Sequence, residues 1–143
     1  MADKFERLGL AIGEVYRSWK AKLNERLRPL GLSQAKWFTL LHLSRFPEGI
    51  IQKDLANRIG VEGPTLVRLL DRLERDGWVL RKNSKTDRRS KIIYLTRKAQ
   101  PTLGEIHKIV TVLREEILSE IPDGELKTTL GVMLKIKGKI DSL

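Results

Sequence analysis

Thr65, Arg68 and Arg72 stand at i, i+3 and i+7 in the stretch from Pro64 to Asp76. On a helix they share one face, short-branched at its N-terminal end and cationic further along. Such a face suits the major groove of a duplex. An arginine there can donate two hydrogen bonds to guanine, and a threonine methyl can touch the thymine methyl. A solvated surface on which Arg72 and Asp76 merely pair at i, i+4 is the plainer reading of the same residues. A second group of cations follows at once. From Arg81 to Lys98 there are eight (Arg81, Lys82, Lys85, Arg88, Arg89, Lys91, Arg97 and Lys98) against one acid, Asp87, so this segment holds +7 of the formal +10 of the chain. A localised basic field beside a groove-sized helix is the footprint of a polyanion site rather than of general solubility.

The elements that must position these residues are legible from period and punctuation. Gln52–Ile59 reads as a short amphipathic helix with Leu55, Ala56 and Ile59 on its apolar side. Gly60-Val61-Glu62-Gly63 makes a tight corner, and Pro64 opens the second helix, where a missing N–H costs nothing. Leu66, Leu69, Leu70 and Leu73 recur at helical spacing and face a core, and Asp76-Gly77 stops the helix. Trp78-Val79-Leu80 and Ile92-Ile93-Tyr94-Leu95 flank a polar loop and predict a hairpin. Two helices joined by a short turn and followed by a basic hairpin describe a winged helix-turn-helix.

The rest of the chain is helical. Phe5, Leu8, Ile12, Val15, Trp19, Leu23 and Leu27 predict a helix over residues 3–28, broken by Pro29 and Gly31. Ser33 caps a second helix whose inward stripe reads Trp37, Leu40, Leu41 and Ser44. Ile50 and Ile51 suit a brief third strand beside the wing. Thr96 is the expected cap of a helix with a heptad seam of Leu103, Ile106, Val110, Leu113 and Ile117. A last helix follows Pro122, with Leu126, Leu130, Met133, Ile136 or Lys137, and Ile140 along it. The fold class is therefore mainly α with a small β-hairpin wing. The expected organisation is one domain over residues 1–143: a winged-helix lobe (32–96) and a dimerising lobe built from both ends (1–31 and 97–143). In one chain the terminal stripes want partners. A second copy supplies them and matches two half-sites of a palindrome; an intramolecular bundle is the alternative.

Composition narrows the function classes. A chain of 143 residues with 41% hydrophobic content supports one sizeable core. The charge and a pI of about 10.1 favour a polyanionic partner, nucleic acid before an anionic membrane surface. There is no cysteine, which excludes disulfides and thiolate metal sites and fits a reducing cytoplasm. No signal peptide or membrane span is read, so the chain is expected to be soluble and intracellular. The two histidines, His42 and His107, stand without a phosphate loop, a His-Glu-x-x-His motif or a Ser-His-Asp set. Neither catalysis, nor a metal, nor a cofactor is expected. A membrane binder would carry its charge along one helix face rather than on a hairpin.

These residues resemble the MarR family of bacterial transcription regulators, and within it the SlyA branch. Gly60-Val61-Glu62-Gly63-Pro64-Thr65-Leu66-Val67-Arg68-Leu69-Leu70-Asp71-Arg72-Leu73-Glu74 is the most specific match, followed by the wing signature Thr86-Asp87-Arg88-Arg89-Ser90-Lys91-Ile92-Ile93-Tyr94-Leu95-Thr96. Trp37-Phe38-Thr39-Leu40-Leu41 is similar to the family's second helix. The resemblance implies a homodimer that reads a pseudo-palindromic operator in double-stranded DNA. The Pro64–Asp76 helix would enter the major groove and the wing the flanking minor groove. Pro64, Thr65 and Arg68 fall where that branch contacts bases or phosphates, and Arg88 and Arg89 fall at the wing tip. The Asp87 carboxylate would hold one wing arginine, while Arg72, Lys82, Lys85 and Lys91 would add groove or phosphate contacts. Gly63 departs from the glutamine common in the SlyA branch and removes an adenine contact, so the consensus site need not be shared. An architectural or non-specific winged-helix binder is the alternative function.

The family also implies a ligand, a small aromatic carboxylate held between the two lobes. Tyr16, Arg17, Trp19, Trp37, Phe38 and His42 are the candidates, since aromatic walls with one cation suit an aromatic acid. Core packing is the competing role for each aromatic, and a carboxylate partner across the dimer for Arg17. SlyA-like members often act by competing with nucleoid proteins, which needs no tight ligand and places them on the bacterial nucleoid.

Overall fold

The computed structural model describes residues 3–87 and 89–143. Six α-helices and a three-stranded sheet are described: α1 (Glu6–Leu27), α2 (Gln34–Leu43), β1 (Ile50–Ile51), α3 (Gln52–Ile59), α4 (Gly63–Arg75), β2 (Val79–Asn83), β3 (Lys91–Leu95), α5 (Gln100–Leu118) and α6 (Asp123–Asp141). This is a winged helix-turn-helix with long helices at both ends. The chain divides into two compact units, one ending at Val110 and the other running Thr111–Leu143.

In the first unit the core forms where the leucines of α4 meet the sheet and α2–α3. Leu66, Leu70 and Leu73 are fully buried and Leu69 nearly so, against Leu43, Ile50, Leu55, Ala56, Val79 and Ile93. The stripe predicted on α4 is thus its core face. The sheet is antiparallel with β3 central, β2 on one side and β1 on the other. Ile50 and Ile51 pair with Ile93 and Ile92, so the brief third strand forms.

Local chemistry sets the boundaries. The indole N–H of Trp37 donates to Asn24 Oδ1 at 2.9 Å, which joins α2 to α1 and keeps a buried donor satisfied. Ser33 Oγ accepts from the Lys36 N–H and caps α2. At the end of α4, Gly77 has φ +81°. The Gly77 N–H donates to Glu74 O at 3.0 Å and the Trp78 N–H to Leu73 O at 2.9 Å, the paired bonds of a Schellman stop.

The first helix starts at Glu6, and Pro29 lies in a 3₁₀ turn, Arg28–Leu30, that Gly31 ends. On α2 the buried set is Trp37, Thr39, Leu40 and Leu43, with Leu41 and Ser44 only half-buried. The reason is that α2 packs against α3, α4 and β3 and buries more than one stripe. Thr96 does not cap α5. Its hydroxyl donates to Gly77 O at 2.5 Å, and a 3₁₀ turn, Arg97–Ala99, precedes the helix. On α5, Leu103, Ile106, Val110 and Leu113 are buried as the heptad predicts, but Ile117 is exposed.

Gly49 is the least replaceable backbone position. Its φ is +90°, and a Cβ there would lie 2.6 Å from both Ile92 Cγ2 and Tyr94 Cε1. Gly49→Ala is expected to destabilise the fold by about 2 kcal/mol or more, because left-handed strain and a clash with two half-buried side chains add. A urea midpoint equal to that of the parent chain would contradict this.

Candidate nucleic-acid interface

The turn between α3 and α4 has three residues, Gly60–Glu62, and Gly60 takes φ +79° to make it. No side chain caps the N-terminus of α4, so its first-turn N–H groups have no capping acceptor, an arrangement that favours an anion. With its leucines buried, α4 presents Pro64, Thr65, Arg68 and Arg72 at the surface, all exposed. Arg72 and Asp76 are not each other's partners in the described contacts. The Asp76 carboxylate instead takes Lys36 Nζ at 3.5 Å.

The wing adds cations beside this helix. Lys82, Lys85, Arg89 and Lys91 are exposed, whereas Arg88 lies outside the described residues. Lys82 Nζ sits 5.4 Å from the Tyr94 ring centroid, and Lys91 Nζ donates to Asn83 Oδ1 at 2.5 Å. Asp87 organises the loop from within. Its carboxylate accepts from the Arg89 backbone N–H at 2.9 Å and from the Ser90 hydroxyl at 3.4 Å. Among the described residues, then, it shapes the turn rather than gripping an arginine side chain.

A groove of about 650 Å³ runs between α3, the start of α4 and the wing, with Gln52, Lys53, Asn57, Gly63, Arg89 and Lys91 among its lining residues. Gln52, Lys53 and Asn57 were not singled out in the sequence. Their signal was available, since on α3 they are the polar positions around buried Leu55 and Ala56.

Arg81 departs from the basic field in which it was counted. Its guanidinium donates to Asp71 Oδ1 at 2.6 Å and to Glu74 Oε1 at 3.0 Å, and its backbone N–H donates to Glu74 Oε2 at 3.0 Å. The hydrogen bond from Arg81 holds the Glu74 carboxyl below the usual carboxylate range. Because that pKa is lowered on folding, the pair stabilises the fold above the ordinary carboxylate range. The contribution is lost as pH falls through the lowered value.

The aromatic candidates separate into core and surface. Trp37 is fully buried and Trp19 half-buried, whereas Tyr16 and Arg17 are exposed. Phe38 meets Trp37 edge-on at 5.7 Å and His42 at 4.5 Å. The cation over these rings is Lys20, not Arg17: its Nζ lies 4.0 Å from the Phe38 centroid and 5.5 Å from that of Tyr16. Burial first, then the charges of Arg45, Arg58 and Lys20, push the His42 imidazole below its ordinary pKa, so it is neutral at pH 7.

A model of the MarR family matches residues 30–90, the stretch that holds α2, the helix-turn-helix and the wing loop. The solved transcriptional regulator PA3341 is 41% identical, with 95% of this chain and 99% of that one covered and a TM-score of 0.88. The chain belongs to the MarR family. A MarR transcriptional regulator from Methanosarcina mazei Go1 is 28% identical over 94% of this chain and 99% of its own, with a TM-score of 0.78. A mutant MarR from E. coli, solved in complex with operator DNA, is 27% identical over 94% of this chain and 99% of its own, with a TM-score of 0.74. The MarR-type transcriptional-regulator fold therefore extends over nearly the whole chain. Among the described residues no helix is long and apolar enough to cross a membrane.

Proposed function

We propose that this MarR-family chain is a sequence-specific transcription regulator of the SlyA-like branch, working as a homodimer on a pseudo-palindromic operator in the bacterial cytoplasm. The observation that carries the reading is the exposed outer face of α4, Pro64, Thr65, Arg68 and Arg72, next to a groove that Arg89 and Lys91 line. Helix α4 enters the major groove, where Thr65 and Arg68 read bases. The wing tip, with Arg88 and Arg89, follows the flanking minor groove, whose potential attracts arginine. Lys82, Lys85 and Lys91 neutralise phosphates, and Asp87 fixes the loop that presents the arginines. That the E. coli relative was solved in complex with operator DNA supports the DNA-binding reading.

Residues 32–96 form the reading lobe, and the two ends form the dimerising lobe. Support comes from apolar surface that one chain leaves uncovered: Phe5 (63% exposed) and Val15 (58%) on α1, and Leu130 (61%) and Leu134 (63%) on α6. A small aromatic carboxylate is the ligand class that Tyr16, Phe38 and His42 suit, with Lys20 as its counter-charge. A second reading, architectural and weakly selective, draws on Gly63, which offers no side chain to a base.

The test is binding of a labelled duplex across salt concentrations. Affinity is expected to fall steeply with salt, and Arg89→Ala to lower the slope of log K against log salt by about 1.8, roughly 0.9 for each of the two subunits, with an unchanged melting temperature. A flat salt response would overturn the reading.

A further inference from the structure

The strand register decides where Arg81 goes. Val79, Arg81 and Asn83 share one face of β2 and pair with Leu95, Ile93 and Lys91. Val79 and Ile93 are fully buried, so Arg81 is turned inward with them, whereas Lys82 faces outward with the Tyr94 ring. On that inner side it meets Asp71 and Glu74, one turn apart on α4, and keeps only a fifth of its side chain exposed. The contact with Glu74 is doubled, by the guanidinium and by the backbone N–H.

The two carboxylates are the problem that this contact solves. Asp71 lies three residues from Arg68 and next to Arg72, on a helix offered to a polyanion. Unpaired, Asp71 and Glu74 would repel phosphates and draw those arginines away from a duplex. Two further bonds tie the same ends together: the Thr96 hydroxyl donates to Gly77 O and Lys98 Nζ to Asp76 O, both at 2.5 Å.

We propose that Arg81 is a positioning residue of the DNA interface: it masks Asp71 and Glu74 and braces the wing against α4, so that Arg68, Arg72 and the wing cations meet one duplex together. This inference rests on the DNA-binding reading above. It takes Arg81 out of the basic field offered to a duplex.

The experiment is a mutant cycle on the full chain with a labelled duplex at fixed salt. Arg81→Gln is expected to weaken binding about tenfold, because two unmasked carboxylates then face the phosphates. In an Asp71→Asn/Glu74→Gln background the same change is expected to cost less than about threefold, since nothing is left to mask. Equal losses in both backgrounds would make Arg81 a phosphate contact and overturn the proposal. If Arg81→Gln does not fold, Arg81→Lys replaces it in the cycle, with a smaller loss that again vanishes in the neutral background. Amide hydrogen exchange of Leu80–Asn83 gives a readout without DNA: Arg81→Gln is expected to accelerate it, and unchanged exchange would overturn the brace. A parent chain that binds no duplex at low salt would instead overturn the DNA-binding reading, and the exchange result would still judge the brace.

Discussion

Arg68→Ala is expected to weaken binding to a selected operator by about 1–3 kcal/mol, a roughly five- to 150-fold loss, with little change on unrelated duplex. The asymmetry follows from where the residue sits. The leucines of α4 are buried on the opposite side, so truncating exposed Arg68 leaves the core intact. A guanidinium that donates two hydrogen bonds to one guanine discriminates between bases, whereas one that meets a phosphate does not. Titrations of both duplexes at one salt concentration decide between them. Equal losses would assign Arg68 to the backbone and leave Thr65 as the proposed base reader.

Deleting residues 123–143 is expected to have the larger effect. No residue of α6 is buried in the single chain, and Leu130, Leu134 and Ile140 are each about 60% exposed. The helix contributes nothing to the core cluster around α4, so its removal leaves the reading lobe folded. What it removes is apolar surface that a second copy would cover. A monomer meets one half-site only, and its affinity should fall toward the non-specific level, about 10³-fold or more below that of the dimer. Sedimentation of the shortened chain measures this directly. A shortened chain that still sediments as a dimer would assign the interface to α1 and α5 alone.

The fold was legible where local and global signals agree. The α4 leucines, Pro64 at its start and Gly77 at its end all mark the same helix, and strand alternation located the hairpin. The losses came where a tally replaced geometry. Arg81 was counted with the basic wing, although the same alternation that buries Val79 turns it inward toward two acids. Asp87 stands two residues before the amide that it binds, an ordinary turn contact of short acidic side chains that local sequence does supply. Thr96 has the composition of a helix cap, yet its hydroxyl is used by the end of α4 across 19 positions of sequence, which no local rule supplies. Lys20 lies one helical turn after Tyr16 and also reaches Phe38 on the neighbouring helix, a contact between helices that spacing alone does not supply. Trp37 is completely buried and its indole N–H is used by Asn24, a partner 13 positions away that no local rule supplies.

The central claim is sequence-specific reading by a two-fold dimer, and selection from random duplex DNA by the purified protein tests it most directly. Sequencing of the bound pool is expected to return an inverted repeat, its half-sites about one helical turn apart. A pool that is only A·T-rich, with no repeat, would contradict the claim: binding would then be driven by groove geometry, and base reading by Thr65 and Arg68 would have to be withdrawn.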